Sequence, residues 1–268
     1  MINEPEDVVR ILQITDFHFC ARPGDRLLGV DTEETFLDTL ASALADGRAL
    51  DFALLTGDLA QDPEPATYRR LKERLSVLPC PVYCLPGNHD DPALMASTLV
   101  NDRIHCDALI LLDRWQILCL DSTLPGVPVG RLAPAQLDLM ERLLDEQPGH
   151  HALIALHHHP VPSGSAWMDT MQLDNSTEFF ARLQGYSQVR GIVFGHVHQA
   201  MDMEYRGLRI LGTPSTCFQF KPGQAEFTLD PVPSGFRWIE LHPDGQIHSH
   251  IGRATNLPAG LNIASDGY

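Results

Sequence analysis

Five short clusters of aspartate, histidine and asparagine, each closing an apolar run, constrain this chain more than any other feature. In chain order they are Asp16-Phe17-His18, Gly57-Asp58, Gly87-Asn88-His89-Asp90, His157-His158-His159-Pro160 and Gly195-His196-Val197-His198. The runs before them, residues 8–14, 52–55, 82–85, 152–156 and 191–194, read as short buried strands. Helical signals separate them. Asp31 is an N-cap with Glu34 as its capping-box partner, and Phe36, Leu37, Leu40, Ala41 and Leu44 follow at helical spacing. Residues 68–75 form a second helix, and Leu137, Met140, Leu143 and Leu144 mark a third. Strands alternating with helices imply βαβ units and a largely parallel sheet. In such sheets ligands bind in the crevice beyond the C-terminal strand ends, where all five clusters fall.

Two further strands, residues 108–112 and 115–120, flank an Asp113-Arg114 turn. From Met201 onward the pattern becomes strands and turns, with residues 236–241 and 246–251 on either side of Pro243-Asp244-Gly245. Residues 1–252 read as one domain and residues 253–268 as a small, polar, flexible tail. With 44% hydrophobic and 20% charged residues, the chain can bury a substantial core. Its net charge of −16, with only Lys72 and Lys221 as lysines, argues against a nucleic-acid partner, which needs clustered basic side chains. No apolar run reaches the ~18 residues of a membrane span. The acidic start, residues 1–7, lacks a basic leader region, so a cytoplasmic location is expected. Six cysteines without a CxxC pair read as reduced thiols rather than a disulfide framework. Nothing in the sequence signals an oligomeric state.

The clusters carry their own chemistry. In extended chain, residues i and i+2 point the same way, so Asp16 and His18 can grip one ion, as can His196 and His198. Mixed oxygen and nitrogen ligands without thiolates suit Fe, Mn, Co or Zn. No Gly-x-Ser-x-Gly elbow and no Walker motif offers a competing chemistry.

Asp-x-His, Gly-Asp, Gly-Asn-His-Asp, the histidine run before Pro160 and Gly-His-x-His, in this order, resemble the calcineurin-like metallophosphoesterases. Gly29-Val30-Asp31-Thr32, Leu156 to Pro160, Gly212-Thr213-Pro214-Ser215-Thr216-Cys217 and Gln219-Phe220-Lys221-Pro222 extend the likeness to bacterial class III 3′,5′-cyclic-AMP phosphodiesterases. The resemblance implies an α/β four-layer sandwich, two mixed sheets flanked by helices. It also implies two divalent metals, Fe and/or Mn foremost, with Zn or Co as alternatives. One metal would be held by Asp16, His18, Asp58 and His198, the other by Asp58, Asn88, His158 and His196, with Asp58 bridging. His158 is chosen from the histidine run because the family ligand stands two residues before the proline; in extended chain His157 and His159 would face away.

The implied reaction is hydrolysis of cyclic AMP, a small-molecule substrate, to 5′-AMP by a bridging hydroxide. Asp58 and His89 would be its catalytic residues, His89 protonating the leaving oxygen; Asn88, His89 and His18 would contact the substrate. The alternatives are a broader phosphodiesterase acting on cyclic GMP, 2′,3′-cyclic nucleotides or glycerophosphodiesters, and a non-catalytic scaffold of the same fold. Purple acid phosphatases carry a tyrosine three residues after the bridging aspartate; Gln61 stands there here. Cys217 and Phe218 are candidates for contact with the base, with core packing the competing reading.

Overall fold

The computed structural model describes residues 8–267. The acidic start, residues 1–7, therefore lies outside the described residues. Two six-stranded mixed sheets pack face to face with helices on both outer sides, the four layers implied by the resemblance.

The first sheet runs, edge to edge, Ile247–Arg253, Gly235–Leu241, Val9–Ile14, Phe52–Thr56, Val82–Leu85, Ile104–His105. Its last four strands are parallel, and the C-terminal hairpin joins antiparallel. The second sheet runs Met201–Tyr205, Leu208–Gly212, Val189–Phe194, His151–Ala155, Trp115–Cys119, Leu109–Leu111, with antiparallel strands only at its edges.

Strict alternation explains why the central strands are apolar throughout. Ile11, Phe52, Leu54, Leu153 and Ala155 face the layer between the sheets. Leu12, Ala53 and Leu55 face the helices Thr32–Leu44, Pro65–Leu75 and Pro92–Leu99, while Ile154 faces Pro134–Glu146 and Ser176–Leu183. A strand covered on both sides has no polar face to show.

Asp31 caps the first helix, accepting from the Glu33 and Glu34 backbone N–H groups. The second helix begins at Pro65, earlier than residue 68, because proline suits the first helical turn. Helices Pro92–Leu99 and Ser176–Leu183 were not expected, being too short to show a clear period.

Polar groups also cross between the sheets. Gln13 Nε2 donates to Thr56 Oγ1 (2.9 Å) and to the Phe194 carbonyl (3.2 Å), and its Oε1 accepts from Thr213 Oγ1 (2.7 Å). Fully buried and fully bonded, Gln13 ties three strand ends together beneath the crevice.

The last strand runs through Arg253, past the expected end at residue 251, and the residues after it make backbone contacts with the body of the fold. Ala254 N–H donates to the Ser234 carbonyl (2.9 Å) and Asn262 N–H to the Leu28 carbonyl (2.9 Å). Lacking an apolar pattern, this segment is held by backbone bonds that composition does not reveal.

Candidate metal centre

All five clusters converge in one crevice at the C-terminal strand ends. They do not converge by the alternation expected of extended chain. The strands stop at Ile14 and Phe194, and Asp16, His18, Asp58, His196 and His198 all have positive φ, between 46° and 66°. A left-handed backbone costs a non-glycine residue ~1–3 kcal/mol, so five together mark a place where surrounding bonds dictate the geometry. Those bonds are present. Asp16 N–H donates to the Gly57 carbonyl (3.0 Å), His18 N–H to the Asp58 carbonyl (3.0 Å), and His196 N–H to both Asp16 carboxylate oxygens (3.0 and 3.1 Å).

Close packing adds a second constraint. Gly57, at φ 94°, lies so near the neighbouring loop that a Cβ would stand 2.7 Å from the Gly87 nitrogen and would strike His157 Nδ1. Only glycine fits. Asp90, half-buried, clamps the same two loops: its carboxylate accepts from the backbone of Leu59 (3.0 Å), Ala60 (3.1 Å) and Gly87 (3.0 Å) and from Tyr68 OH (2.9 Å).

The ring nitrogens settle what the crevice can hold. His18 Nδ1 donates to Gln61 Oε1 (2.8 Å), His198 Nδ1 to the Phe218 carbonyl (2.9 Å), and His157 Nδ1 to the Thr56 carbonyl (2.8 Å). Each Nε2 is then a lone pair in the neutral ring. His18 Nε2 and His198 Nε2 face each other at 3.3 Å. His198 Nε2 lies 3.4 Å from Asp16 Oδ1, and His18 Nε2 lies 3.6 Å from Asp58 Oδ2. Asp58 Oδ2 is also 3.3 Å from His157 Nε2, which is itself 3.2 Å from Asn88 Oδ1. His196 Nε2 is buried with no hydrogen-bond partner among the described residues. Lone pairs and carboxylates pointed at one another repel unless a cation lies between them. The donor set therefore fits two divalent ions, and Asp58 Oδ2 lies between its two halves, near His18 Nε2 on one side and His157 Nε2 on the other.

Titration tells the same story. Burial alone would empty these rings of protons, as it does for His18, lowered to about 3. At His157 the Asp58 charge outweighs burial and raises the pKa to about 9; at His198 Asp16 does the same, to about 10. The two carboxylates thus favour a positive charge at these nitrogens, whether a proton or a metal ion.

The histidine run is placed differently from the expectation. The strand ends at Ala155 and the chain bends at His157 and His158, so extended alternation does not apply. His157 reaches Asp58 and Asn88. His158 Nδ1 is bonded to Ser122 Oγ (2.8 Å), its ring packs 4.7 Å from that of His196, its Nε2 has no hydrogen-bond partner among the described residues, and its ring nitrogen groups with those of His157 and His196 within 4.8 Å. His159 turns to Asp169 (3.3 Å) in the next loop.

His89 is half-buried, its ring 4.9 Å from that of His18, and its backbone N–H donates to Asp58 Oδ1 (2.9 Å). Cys217 and Phe218 are fully buried; Phe218 lies behind His198 (5.2 Å), so packing is the reading that holds. Gln61, noted only as a missing tyrosine, orients His18.

A cavity of about 590 Å³ opens over this floor, reached by Asp58, Asn88, His89 and His196. Trp167, Met168, Met171, Phe220 and Phe227 make its apolar wall, and Gly267 of the C-terminal segment borders it. Trp167 packs edge-on to Phe220 (4.9 Å) and Phe227 (5.2 Å). Of the wall, only Phe220 lay within a recognisable motif; Trp167 and Phe227 sit in loops without periodicity.

Fold and floor together define a calcineurin-like phosphoesterase, and the chain belongs to that family, whose profile matches residues 9–200. The family uses a dinuclear metal centre. Among its relatives is the 3′,5′-cyclic adenosine monophosphate phosphodiesterase CpdA of Escherichia coli K12, 41% identical across 97% of this chain and 95% of that protein. A 3′,5′-cyclic-nucleotide phosphodiesterase of Nostoc is 36% identical across 91% of this chain and 92% of its own. Among solved structures, a purple acid phosphatase from yellow lupin superposes with a TM-score of 0.63 at 13% identity, covering 91% of this chain and 53% of that one. A dimetal phosphatase from Danio rerio gives 0.58 at 12% identity, covering 92% and 99%. At such identity these two show the fold alone.

Proposed function

We propose that this chain is a metal-dependent phosphodiesterase that hydrolyses 3′,5′-cyclic AMP to 5′-AMP. The observation that carries the chemistry is Asp58 Oδ2, shared between His18 on one side and His157 on the other. One ion would be held by Asp16, His18, Asp58 and His198, the second by Asp58, Asn88, His157 and His196. Fe and Mn suit this oxygen–nitrogen set, as do Zn and Co. When bound, such a pair supplies an acidified water and neutralises charge on the phosphoryl oxygens. The full-length relatives named for cyclic AMP support the choice of substrate.

The chain's own residues do the rest. Asn88 and His89 enter the cavity from one turn, so the phosphate is gripped from a single rigid edge held by Asp90. Water adds to phosphorus, the bond to the 3′ oxygen breaks, and His89 delivers the proton that oxygen requires. The apolar wall offers a face for the purine, and it shields the phosphate from bulk water.

A second reading has its own support. Apart from the floor residues, Thr170 is the polar side chain that the lining offers to a base among the described residues. Stacking without edge recognition tolerates more than one base, which favours turnover of cyclic GMP as well. Assay of metal-loaded protein on cyclic AMP, cyclic GMP, 2′,3′-cyclic nucleotides and bis(p-nitrophenyl) phosphate separates the readings. Cyclic AMP turned over far more slowly than the others would sink the substrate while leaving phosphodiester hydrolysis intact.

A further inference from the structure

Away from the floor, two thiols are in contact. Cys84 lies in the strand Val82–Leu85, and Cys106 follows the edge strand Ile104–His105; their sulfurs are 3.3 Å apart. The pairing is built into the sheet. Val82 faces Ile104 and Tyr83 faces His105 in parallel register, so one further step sets Cys84 opposite Cys106 on the same face. Neighbouring strands lie ~4.8 Å apart, inside the ~4.4–6.8 Å Cα separation that a disulfide spans. All six cysteines are free thiols in the structure.

The two thiols differ in a way that suits stepwise oxidation. Cys106 is half-buried, while Cys84 is 2% exposed. The Cys84–Cys106 contact lowers the Cys106 pKa against the effect of burial and, together with burial, pushes Cys84 up, while the Cys84 thiol also reaches the His105 carbonyl at 3.2 Å. A small cavity of about 190 Å³ borders both, together with Cys119 and Asp121, and is large enough for a peroxide molecule. Cys84 lies two residues before Pro86, at the root of the turn that carries Asn88 and His89.

We propose that Cys84 and Cys106 form an oxidisable dithiol that closes to a reversible disulfide when hydrogen peroxide reaches it. The Cys106 sulfur attacks one peroxide oxygen, the O–O bond breaks, and a sulfenic acid and one water result. The Cys84 sulfur then attacks the sulfenic sulfur; the S–S bond forms and the hydroxyl leaves, with the Cys84 proton, as a second water. Two electrons pass from the thiol pair to the peroxide. This inference is independent of the substrate reading, because it needs only the two strands and their register.

The intact protein is treated with hydrogen peroxide, alkylated, digested without reduction and analysed by mass. The expected result is a cross-linked pair of peptides containing Cys84 and Cys106, about 2 Da lighter than their sum, that separates on treatment with dithiothreitol. In Cys106→Ser the link is lost and Cys84 stays alkylatable. Cys106 driven to sulfinic or sulfonic acid without a link to Cys84, or a link from Cys106 to Cys119 instead, would overturn the proposal.

Discussion

The floor and the wall of one cavity are built on opposite principles. Every floor histidine that reaches Asp16 or Asp58 is fixed twice, through Nε2 toward the centre and through Nδ1 to Gln61, Phe218 or Thr56. The backbone beneath is held in left-handed conformations by bonds between loops. The wall packs ring against ring: Trp167, Phe220 and Phe227 touch edge to face, and Trp167 Nε1 has no hydrogen-bond partner among the described residues. A doubly anchored floor fixes the position of charge, which transition-state stabilisation demands. A wall of packed rings sets only shape and apolarity, which serve affinity.

If the contrast is right, substitutions on the floor act on turnover and those on the wall on affinity. Asp58→Ala should have the largest effect, on the order of 10⁴-fold in kcat, because it removes the bridge from both ions. Steady-state kinetics at saturating metal reads this directly. Next comes the pair in the histidine run. His157→Ala should lower kcat by about 10³-fold, while His158→Ala, which loses a bond to Ser122, should fall far less; the reverse order would move the second ion's ligand back to His158.

Metal binding should itself depend on pH. Without metal, His157 holds a proton up to about 9 and His198 up to about 10. Below those values each proton must leave before the nitrogen can ligate, so affinity weakens as pH falls. Near neutral pH, loading should release protons from both rings, giving about a hundredfold change in overall affinity per pH unit. Calorimetry in buffers of different ionisation enthalpy counts the protons. Smaller still, Gln61→Leu should weaken metal affinity about tenfold, by freeing the His18 ring without removing a ligand. Trp167→Ala should raise KM about tenfold and leave kcat nearly unchanged; a loss in kcat instead would make the wall part of the chemistry.

The same contrast sets what the sequence reveals. The floor was legible because its residues terminate strands whose two-sided burial writes continuous apolar runs, as at residues 52–55 and 191–194. Its geometry was less so. The positive φ of Asp16 and His18 depends on Gly57 and Asp58 carbonyls some forty residues away, and no local pattern encodes that. Within the histidine run His158 was preferred for standing two residues before Pro160, and spacing from a proline does not encode the bend that turns His157 toward Asp58 and Asn88. The wall was nearly invisible, since Trp167 and Phe227 lie in loops, and Gly267 reaches the cavity only because residues beyond Arg253 are bonded back to Leu28 and Ser234.

The central claim is that two ions share Asp58 and that His157 completes the second site. Metal content per chain, measured by mass spectrometry on wild type, His157→Ala and His158→Ala loaded and desalted in parallel, tests it most directly. The expected result is about two ions in wild type and in His158→Ala and about one in His157→Ala. One ion in wild type, or two in His157→Ala and one in His158→Ala, would contradict it.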